Sequence, residues 1–319
     1  MFEKSAVFAL TANVKVTDEI CTMLGIRRGL CEVKHFADGE IIVETLESVR
    51  GKHVYVVQST CAPVTERLME LLIFVDALNR ASAREITCII PYYGYGRQDR
   101  QAKAREPVTA RLVADLLQTA GVDRVVSFDL HAPQIQGFFK CPVDNMSAIN
   151  LIGRYLRRKL ASEIAKEEVV VVSPDHGGVT RARNLADYLS SSIAIFDKRR
   201  PKPNIAEIVN IIGDVKDKVA VIVDDMIDTG GTILAATKFL IEKGAKKVYA
   251  ACTHPVFSND ALTKLEESAL EEIVVTNTIP LQKESPRVKV LSIGKMLSQA
   301  INVIENAESL TAIYDLYKA

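Results

Sequence analysis

Strands and helices alternate along this chain, and the alternation runs through the sequence twice. Residues 53–58 read as a strand and 65–80 as the long amphipathic helix after it; 86–91 is a strand, 109–120 a helix and 125–129 a strand. The second half replays that order, with strand 169–173, helix 180–189, strand 219–223, helix 233–243 and strand 248–253. Short β-branched runs spaced by helices belong to α/β proteins with mostly parallel sheets. Two stretches even match residue by residue: Thr109-Ala-Arg-Leu-Val-Ala-Asp-Leu-Leu-Gln-Thr-Ala-Gly-Val-Asp-Arg-Val125 and Thr232-Ile-Leu-Ala-Ala-Thr-Lys-Phe-Leu-Ile-Glu-Lys-Gly-Ala-Lys-Lys-Val248. Each runs helix, capping glycine, basic residue, strand. The pattern predicts two tandem copies of one α/β domain, 1–146 and 147–319, joined near residues 144–150. The terminal segment is expected to pack back on the first copy. At 319 residues the chain is long enough for two separate cores.

The chemistry concentrates in Val219-Ala-Val-Ile-Val-Asp-Asp-Met-Ile-Asp-Thr-Gly-Gly-Thr232. The carboxyl ends of parallel strands are where open α/β sheets bind ligands. Asp224 and Asp225 stand at such an end, placed to accept hydrogen bonds from vicinal hydroxyls. Asp228, Thr229, Gly230, Gly231 and Thr232 then supply backbone N–H groups and hydroxyls at a helix N-terminus, which suits a phosphate. An ordinary strand–turn–helix with polar N-caps does not explain two acids facing a Gly-Gly pair. A diol and a phosphate at this separation describe a ribose 5-phosphate.

Four further segments carry reactive side chains. Pro91-Tyr-Tyr-Gly-Tyr-Gly-Arg-Gln-Asp-Arg100 packs aromatic rings beside Arg97, which suits phosphate oxygens, and Gln98, which suits polar edges. His35-Phe-Ala-Asp-Gly-Glu40 sets Phe36 beside Asp38, Gly39 and Glu40, an aromatic face with two acceptors around a turn. His131 and Asp175 each follow a strand, at what the repeat makes equivalent positions facing one cleft. An imidazole, a carboxylate and nucleotide phosphates would complete a sparse Mg²⁺ shell. Asp197-Lys-Arg-Arg-Pro-Lys-Pro-Asn204 carries four cations and two prolines after strand 192–196. A solvated charge run and a nucleic-acid patch compete there with a mobile lid over polyphosphate, and the enzyme-like setting favours the lid.

Forty basic and forty acidic residues cancel, which argues against nucleic-acid binding by bulk charge. No apolar stretch is long enough for a membrane span, and the N-terminus lacks the marks of a signal peptide. The six cysteines show no CxxC spacing and read as reduced core residues of a cytoplasmic protein.

Taken together, these motifs resemble ribose-phosphate pyrophosphokinases, the PRPP synthetases, of the phosphate-activated, hexameric class I. The likeness also takes in Glu47-Ser-Val-Arg-Gly51, Val57-Gln-Ser-Thr60, Leu68-Met-Glu-Leu-Leu72, Gln134-Ile-Gln-Gly-Phe-Phe139 and Pro142-Val-Asp-Asn145. The resemblance implies two phosphoribosyltransferase-like domains. It implies an enzyme that moves the pyrophosphoryl group of ATP to the 1-hydroxyl of ribose 5-phosphate, giving PRPP and AMP. Ribose 5-phosphate would then sit on Arg200, Asp224, Asp225 and Asp228 to Thr232. ATP would sit on Arg97 and Gln98, with Phe36, Asp38, Gly39 and Glu40 of a neighbouring subunit at the adenine. His131 and Asp175 would hold Mg²⁺, Lys198 and Arg200 would be catalytic, and the assembly would be a homohexamer built from dimers. Gly96 departs from the family's usual alanine, which would loosen the turn slightly. A PRPP-using phosphoribosyltransferase would need no Tyr92–Arg100 motif, and a non-catalytic associated subunit would be expected to have lost the positions retained here.

Overall fold

In the computed structural model the chain divides into two compact units. The structure describes residues 2–202, 205–311 and 313, and for residues 3, 198–202 and 205–209 it describes the backbone alone. The first unit runs to Ser147 and adds Thr278–Pro280 and Ser292–Ser309; the second holds Ala148–Asn277 and Leu281–Leu291.

The first unit contains β1 (Ser5–Ala9), α1 (Val14–Leu24), β2 (Cys31–His35), β3 (Ile41–Thr45), β4 (His53–Val57), α2 (Val64–Arg80), β5 (Glu85–Ile90), α3 (Thr109–Ala120), β6 (Arg124–Phe128) and β7 (Val143–Met146). Strands β1, β4, β5, β6 and β7 form one sheet in that order, every pair parallel. Every residue of β1 and β4 is buried, as parallel strands covered on both faces require. Phe8 on β1 meets Phe74 on α2 edge to face, ring centres 5.4 Å apart, in the middle of this core. Strands β2 and β3 make a separate antiparallel hairpin.

The second unit contains α4 (Ile149–Lys159), α5 (Ala161–Ala165), β8 (Val169–Ser173), α6 (Val179–Leu189), β9 (Ser192–Lys202), β10 (Ile205–Ile212), β11 (Val219–Ile227), α7 (Gly231–Glu242), β12 (Lys247–Pro255), α8 (Ala261–Glu266), β13 (Leu270–Thr276) and β14 (Val288–Leu291). Its sheet runs β10-β9-β8-β11-β12-β13-β14, parallel throughout except for β9 with β10. The last helix, α9 (Gly294–Glu305), belongs to the first unit.

The two units share a topology. β1, β4, β5, β6, β7 correspond in order to β8, β11, β12, β13, β14, and a hairpin (β2–β3 or β9–β10) fills the same slot in each chain half. This correspondence corrects the register of the sequence repeat by one unit. Topology pairs α7 with α2, not with α3, so His131 after β6 and Asp175 after β8 do not occupy equivalent positions. Any amphipathic helix, glycine and buried strand in succession look alike, so the likeness of residues 109–125 to 232–248 could not fix which units match.

Two strands outrun their apolar runs. β11 continues through Asp224 and Asp225 to Ile227, because its ladder with β12 persists, Asp224 opposite Cys252 and Met226 opposite His254. β9 continues to Lys202, so the backbone of the cationic segment, read from the sequence as a mobile lid, forms one strand of a hairpin, with Lys198 opposite Ile208 and Lys202 opposite Ile205. Pro201 falls at a register shift between those pairs, where a strand tolerates the lost donor.

Helix α9 is fastened to the first sheet through Glu305. One carboxylate oxygen accepts from the Tyr55 hydroxyl at 2.8 Å and lies 2.8 Å from His53 Nδ1; the other accepts from Ser5 Oγ at 2.7 Å. His53 Nε2 lies 2.8 Å from Thr87 Oγ1, and Glu85 and Arg84 are the other charges near the ring. Burial, partly offset by Glu85 and Glu305, holds the His53 pKa below its usual 6.5. The unfolded chain therefore takes up a proton that the folded chain refuses, and the stability His53 contributes is present above pH 6.5 and lost as pH falls below it. Thermal melts of wild type and His53→Gln between about pH 7 and 5 should show the steeper acid loss of Tm in the wild type. Parallel slopes would remove His53 from the acid transition.

Candidate active site

The second unit builds a glycine turn into a helix N-terminus at the carboxyl end of β11. Gly230 has φ 76°, and α7 starts at the next residue, so Gly231 and Thr232 offer N–H groups that have no acceptor inside the helix. A side chain on Gly230 would be strained by that φ and would press on Leu265, 3.3 Å away. The Asp228 carbonyl accepts from Ser258 N at 3.1 Å, which ties the turn to the segment after β12. Thr229, Gly231 and Thr232 are exposed, which leaves the turn open to solvent.

Behind the turn stand the two acids, Asp225 buried and Asp224 partly so. Arg181 on α6 reaches both, its Nη1 3.2 Å from Asp224 Oδ1 and 3.8 Å from Asp225 Oδ1. Burial, and then the charge of Asp225, push the Asp224 carboxyl up to about 8, while Arg181 pulls it down. Arg181 is not among the residues that the sequence motifs single out. Its place in the helix after β8 says it lies at the same sheet edge, but only the fold aims it at the acid pair.

The β8–α6 connection carries Asp175 and His176, both exposed. Asp175 Oδ1 accepts from Gly178 N at 2.9 Å, and Ser173 Oγ donates to the Asp175 carbonyl at 2.7 Å, so the carboxylate is held by its own loop. His176 Nε2 lies 3.7 Å from Asp197 Oδ1. The side chains of Lys198 and Arg200 lie outside the described residues.

In the first unit the Tyr92–Arg100 turn leaves β5 and is closed at both ends. Thr60 N donates to the Tyr92 carbonyl at 3.0 Å at its start, and Ala110 N on α3 donates to the Gln98 carbonyl at 3.1 Å at its far end. Arg97 and Gln98 are both exposed on this turn, and Gln98 Oε1 accepts from Thr109 Oγ1 at 2.5 Å. Tyr95, at φ 62°, sets its hydroxyl 3.2 Å from Thr65 Oγ1. A Cβ on Gly96 would stand 3.0 Å from the Tyr93 carbonyl oxygen and 3.8 Å from the Cβ of His131. The turn is therefore closed tightly over Gly96 rather than loosened by it, and His131 sits beside the turn. The His131 loop is fixed from β7: Asn145 Oδ1 accepts from Leu130 N at 3.1 Å, and Ser147 Oγ donates to Asp129 Oδ1 at 2.7 Å.

Phe36, Asp38, Gly39 and Glu40 form the exposed tip of the β2–β3 hairpin, closed by Phe36 N to the Glu40 carbonyl at 2.8 Å, with Gly39 at φ 94°. The hairpin meets α2 through His35 Nε2, 3.1 Å from Glu66 Oε1, one residue along from the Thr65 that holds Tyr95. Among the described residues no three His, Cys, Asp or Glu side chains gather as a metal site. No helix among them is long and apolar enough to cross a membrane.

Both halves of the chain match known sequences. Residues 5–121 match the family model described as the N-terminal domain of ribose phosphate pyrophosphokinase, and residues 196–315 match the phosphoribosyl synthetase-associated domain. The ribose-phosphate pyrophosphokinase of Oceanobacillus iheyensis is 51% identical over 311 residues, 97% of this chain and 96% of its own. That of Bacillus subtilis is 50% identical over 310 residues, again 97% and 96% of the two chains. The crystal structure of phosphoribosylpyrophosphate synthetase from Mycobacterium smegmatis superposes with a TM-score of 0.89 at 44% identity, covering 96% of this chain and 100% of that one. With such agreement in sequence and fold over nearly the whole length, the chain belongs to the ribose-phosphate pyrophosphokinase family.

Proposed function

We propose that this enzyme transfers the pyrophosphoryl group of ATP to the 1-hydroxyl of ribose 5-phosphate, releasing AMP and PRPP. The observation that carries the reading is the β11 end, where two carboxylates stand behind a Gly-Gly turn at a helix N-terminus. The carboxylates accept from the vicinal sugar hydroxyls, and the N–H groups from Gly231 onward, with the Thr229 and Thr232 hydroxyls, hold the 5-phosphate. The sugar's 1-hydroxyl oxygen then attacks the β-phosphorus of ATP as the bond from that phosphorus to the α–β bridging oxygen breaks. The hydroxyl proton is lost to solvent and AMP departs. No covalent enzyme intermediate enters, so catalysis is positioning and charge neutralisation.

Arg97 and Gln98 bind ATP in this reading, with Phe36, Asp38, Gly39 and Glu40 of an adjacent subunit against the adenine, in a homohexamer built from dimers. His131 and Asp175 would hold Mg²⁺, an imidazole and an exposed carboxylate held by Gly178 N suiting an ion that keeps water and phosphate ligands, and the ion would neutralise phosphate charge. The first test is incubation with ATP, Mg²⁺ and ribose 5-phosphate. Formation of AMP and PRPP in equal amounts supports the transfer; a folded, inert protein would favour a non-catalytic subunit.

Lys198 and Arg200 act on the transferring group in its transition state. Losing one such donor costs about 3–4 kcal/mol, so Lys198→Ala should lower kcat by roughly two to three orders of magnitude with little change in either KM. A loss confined to the KM for ATP would make the residue an anchor for bound nucleotide.

The acid pair generates a pH prediction. Sugar hydroxyls donate to an ionised carboxylate, and Asp224 ionises at about 8 in the free enzyme, so ribose 5-phosphate affinity should strengthen as pH rises through that value. Asp225, Arg181 and Cys252 act electrostatically with Asp224. Arg181→Met removes the cation that lowers the pKa, so the rise should move to higher pH. Calorimetric titrations over a pH series that give superimposable profiles for the two proteins would show that Arg181 does not set the charge of the pair.

A further inference from the structure

The nucleotide turn is held from β4 as well as by its own backbone bonds. At the end of β4, Ser59 and Thr60 are both fully buried, and their hydroxyls point at the backbone of the Tyr92–Gly94 segment. Thr60 Oγ1 accepts from Gly94 N at 2.6 Å and donates to the Tyr92 carbonyl at 3.3 Å, the same carbonyl that Thr60 N reaches at 3.0 Å. Ser59 Oγ accepts from Tyr92 N at 3.1 Å and donates to the Thr278 carbonyl at 2.6 Å. Gly94 is packed so closely on Thr60 that a Cβ there would overlap the Thr60 carbonyl oxygen. One threonine therefore clasps the turn at two points across a buried contact. Three residues beyond Gly94 comes Arg97, with Tyr95 in a left-handed conformation between them.

A buried N–H left without an acceptor is costly, and the backbone relieves that cost by moving. Removing the Thr60 hydroxyl should thus rotate the Gly94 peptide and carry Arg97 with it. Ribose 5-phosphate, read above as bound on β11 and α7, would not feel that rotation directly. Resting on the reading of Tyr92–Arg100 as the nucleotide turn, we infer that Thr60 is a positioning residue for ATP, acting through the Tyr92 carbonyl and Gly94 N–H to set where Arg97 stands.

The test compares Thr60→Val, which keeps the shape and loses the hydroxyl, with Thr60→Ser, which keeps the hydroxyl, and Arg97→Ala as a control. Thr60→Val should raise the KM for ATP by about tenfold, the factor worth roughly 1.4 kcal/mol, with the KM for ribose 5-phosphate within about twofold of wild type. Thr60→Ser should restore the ATP value. An unchanged KM for ATP, or equal rises for both substrates, would overturn the assignment. If Arg97→Ala itself leaves ATP unaffected, the reading of the turn fails; if only Thr60→Val is silent, the positioning role fails alone. Should Thr60→Val not fold, Ser59→Ala, which deletes the Tyr92 N–H acceptor together with the donor to the Thr278 carbonyl, must show the same ATP-selective rise or the clasp has no role.

Discussion

Parallel strands can be joined only by crossovers that carry the chain back over a face of the sheet, so every strand in such a sheet ends at the same edge. Each unit here obeys that constraint. In the first, the ends of β4, β5 and β6 deliver the Ser59–Thr60 pair, the Tyr92–Arg100 turn and His131. In the second, the ends of β8 and β11 deliver Asp175 and the Asp224–Thr232 turn. The polar residues at these ends need no apolar partner, because each leaves the sheet where the covering helices stop. Buried runs such as Val169–Ser173 and His53–Val57 anchor the loops from behind, and the loops vary in chemistry without disturbing the ladder.

The two units hold these turns in different ways. The β11 turn relies on charge: two adjacent carboxylates in a poorly hydrated position repel each other, and Arg181 offsets part of that repulsion. The Tyr92–Arg100 turn relies on neutral hydroxyls, which satisfy backbone groups without adding a charge. Behind it lies Glu70, buried on α2, accepting from Thr11 Oγ1 at 2.9 and 2.7 Å and from Gln58 Nε2 at 2.7 Å. Gln58 Oε1 in turn accepts from Ala12 N at 2.9 Å. These bonds tie the loop after β1 to the end of β4, so the residues that clasp the nucleotide turn are themselves fixed.

Much of this was legible in the residues alone. Strand and helix order followed from period and β-branching, and the helix 109–120 was read to its ends because Gly121 at φ 108° closes it. The β11 turn was legible because acids, then glycines, then a helix have few other uses. What was not legible depended on partners distant in sequence. The extra length of β11 comes from a ladder with β12, which no local pattern announces. Arg181 meets acids 43 residues away, and Thr60 meets Gly94 at a separation of 34. The misplaced repeat register has another cause: every β/α unit shares one hydrophobic pattern, so a local match cannot count how many units precede it.

Phosphoryl transfer asks little covalent chemistry of a protein and much geometry, since attacking oxygen, phosphorus and leaving oxygen must stand in line. That demand gives the neutral hydroxyl bonds a larger role than their individual strengths suggest. A side chain such as Arg97 has many rotamers, and the backbone carrying it must be fixed before its charge is worth anything to catalysis. The Tyr92–Arg100 turn gains that fixity from bonds at both ends, to β4 through Thr60 and to α3 through Ala110 N and Thr109 Oγ1. The cationic hairpin contrasts with it, since Lys198 and Arg200 extend along an edge pair whose register shifts twice. The turns proposed to bind the ground state are thus anchored at both ends, while Lys198 and Arg200, proposed to act on the transition state, lie on a strand whose ladder is less regular.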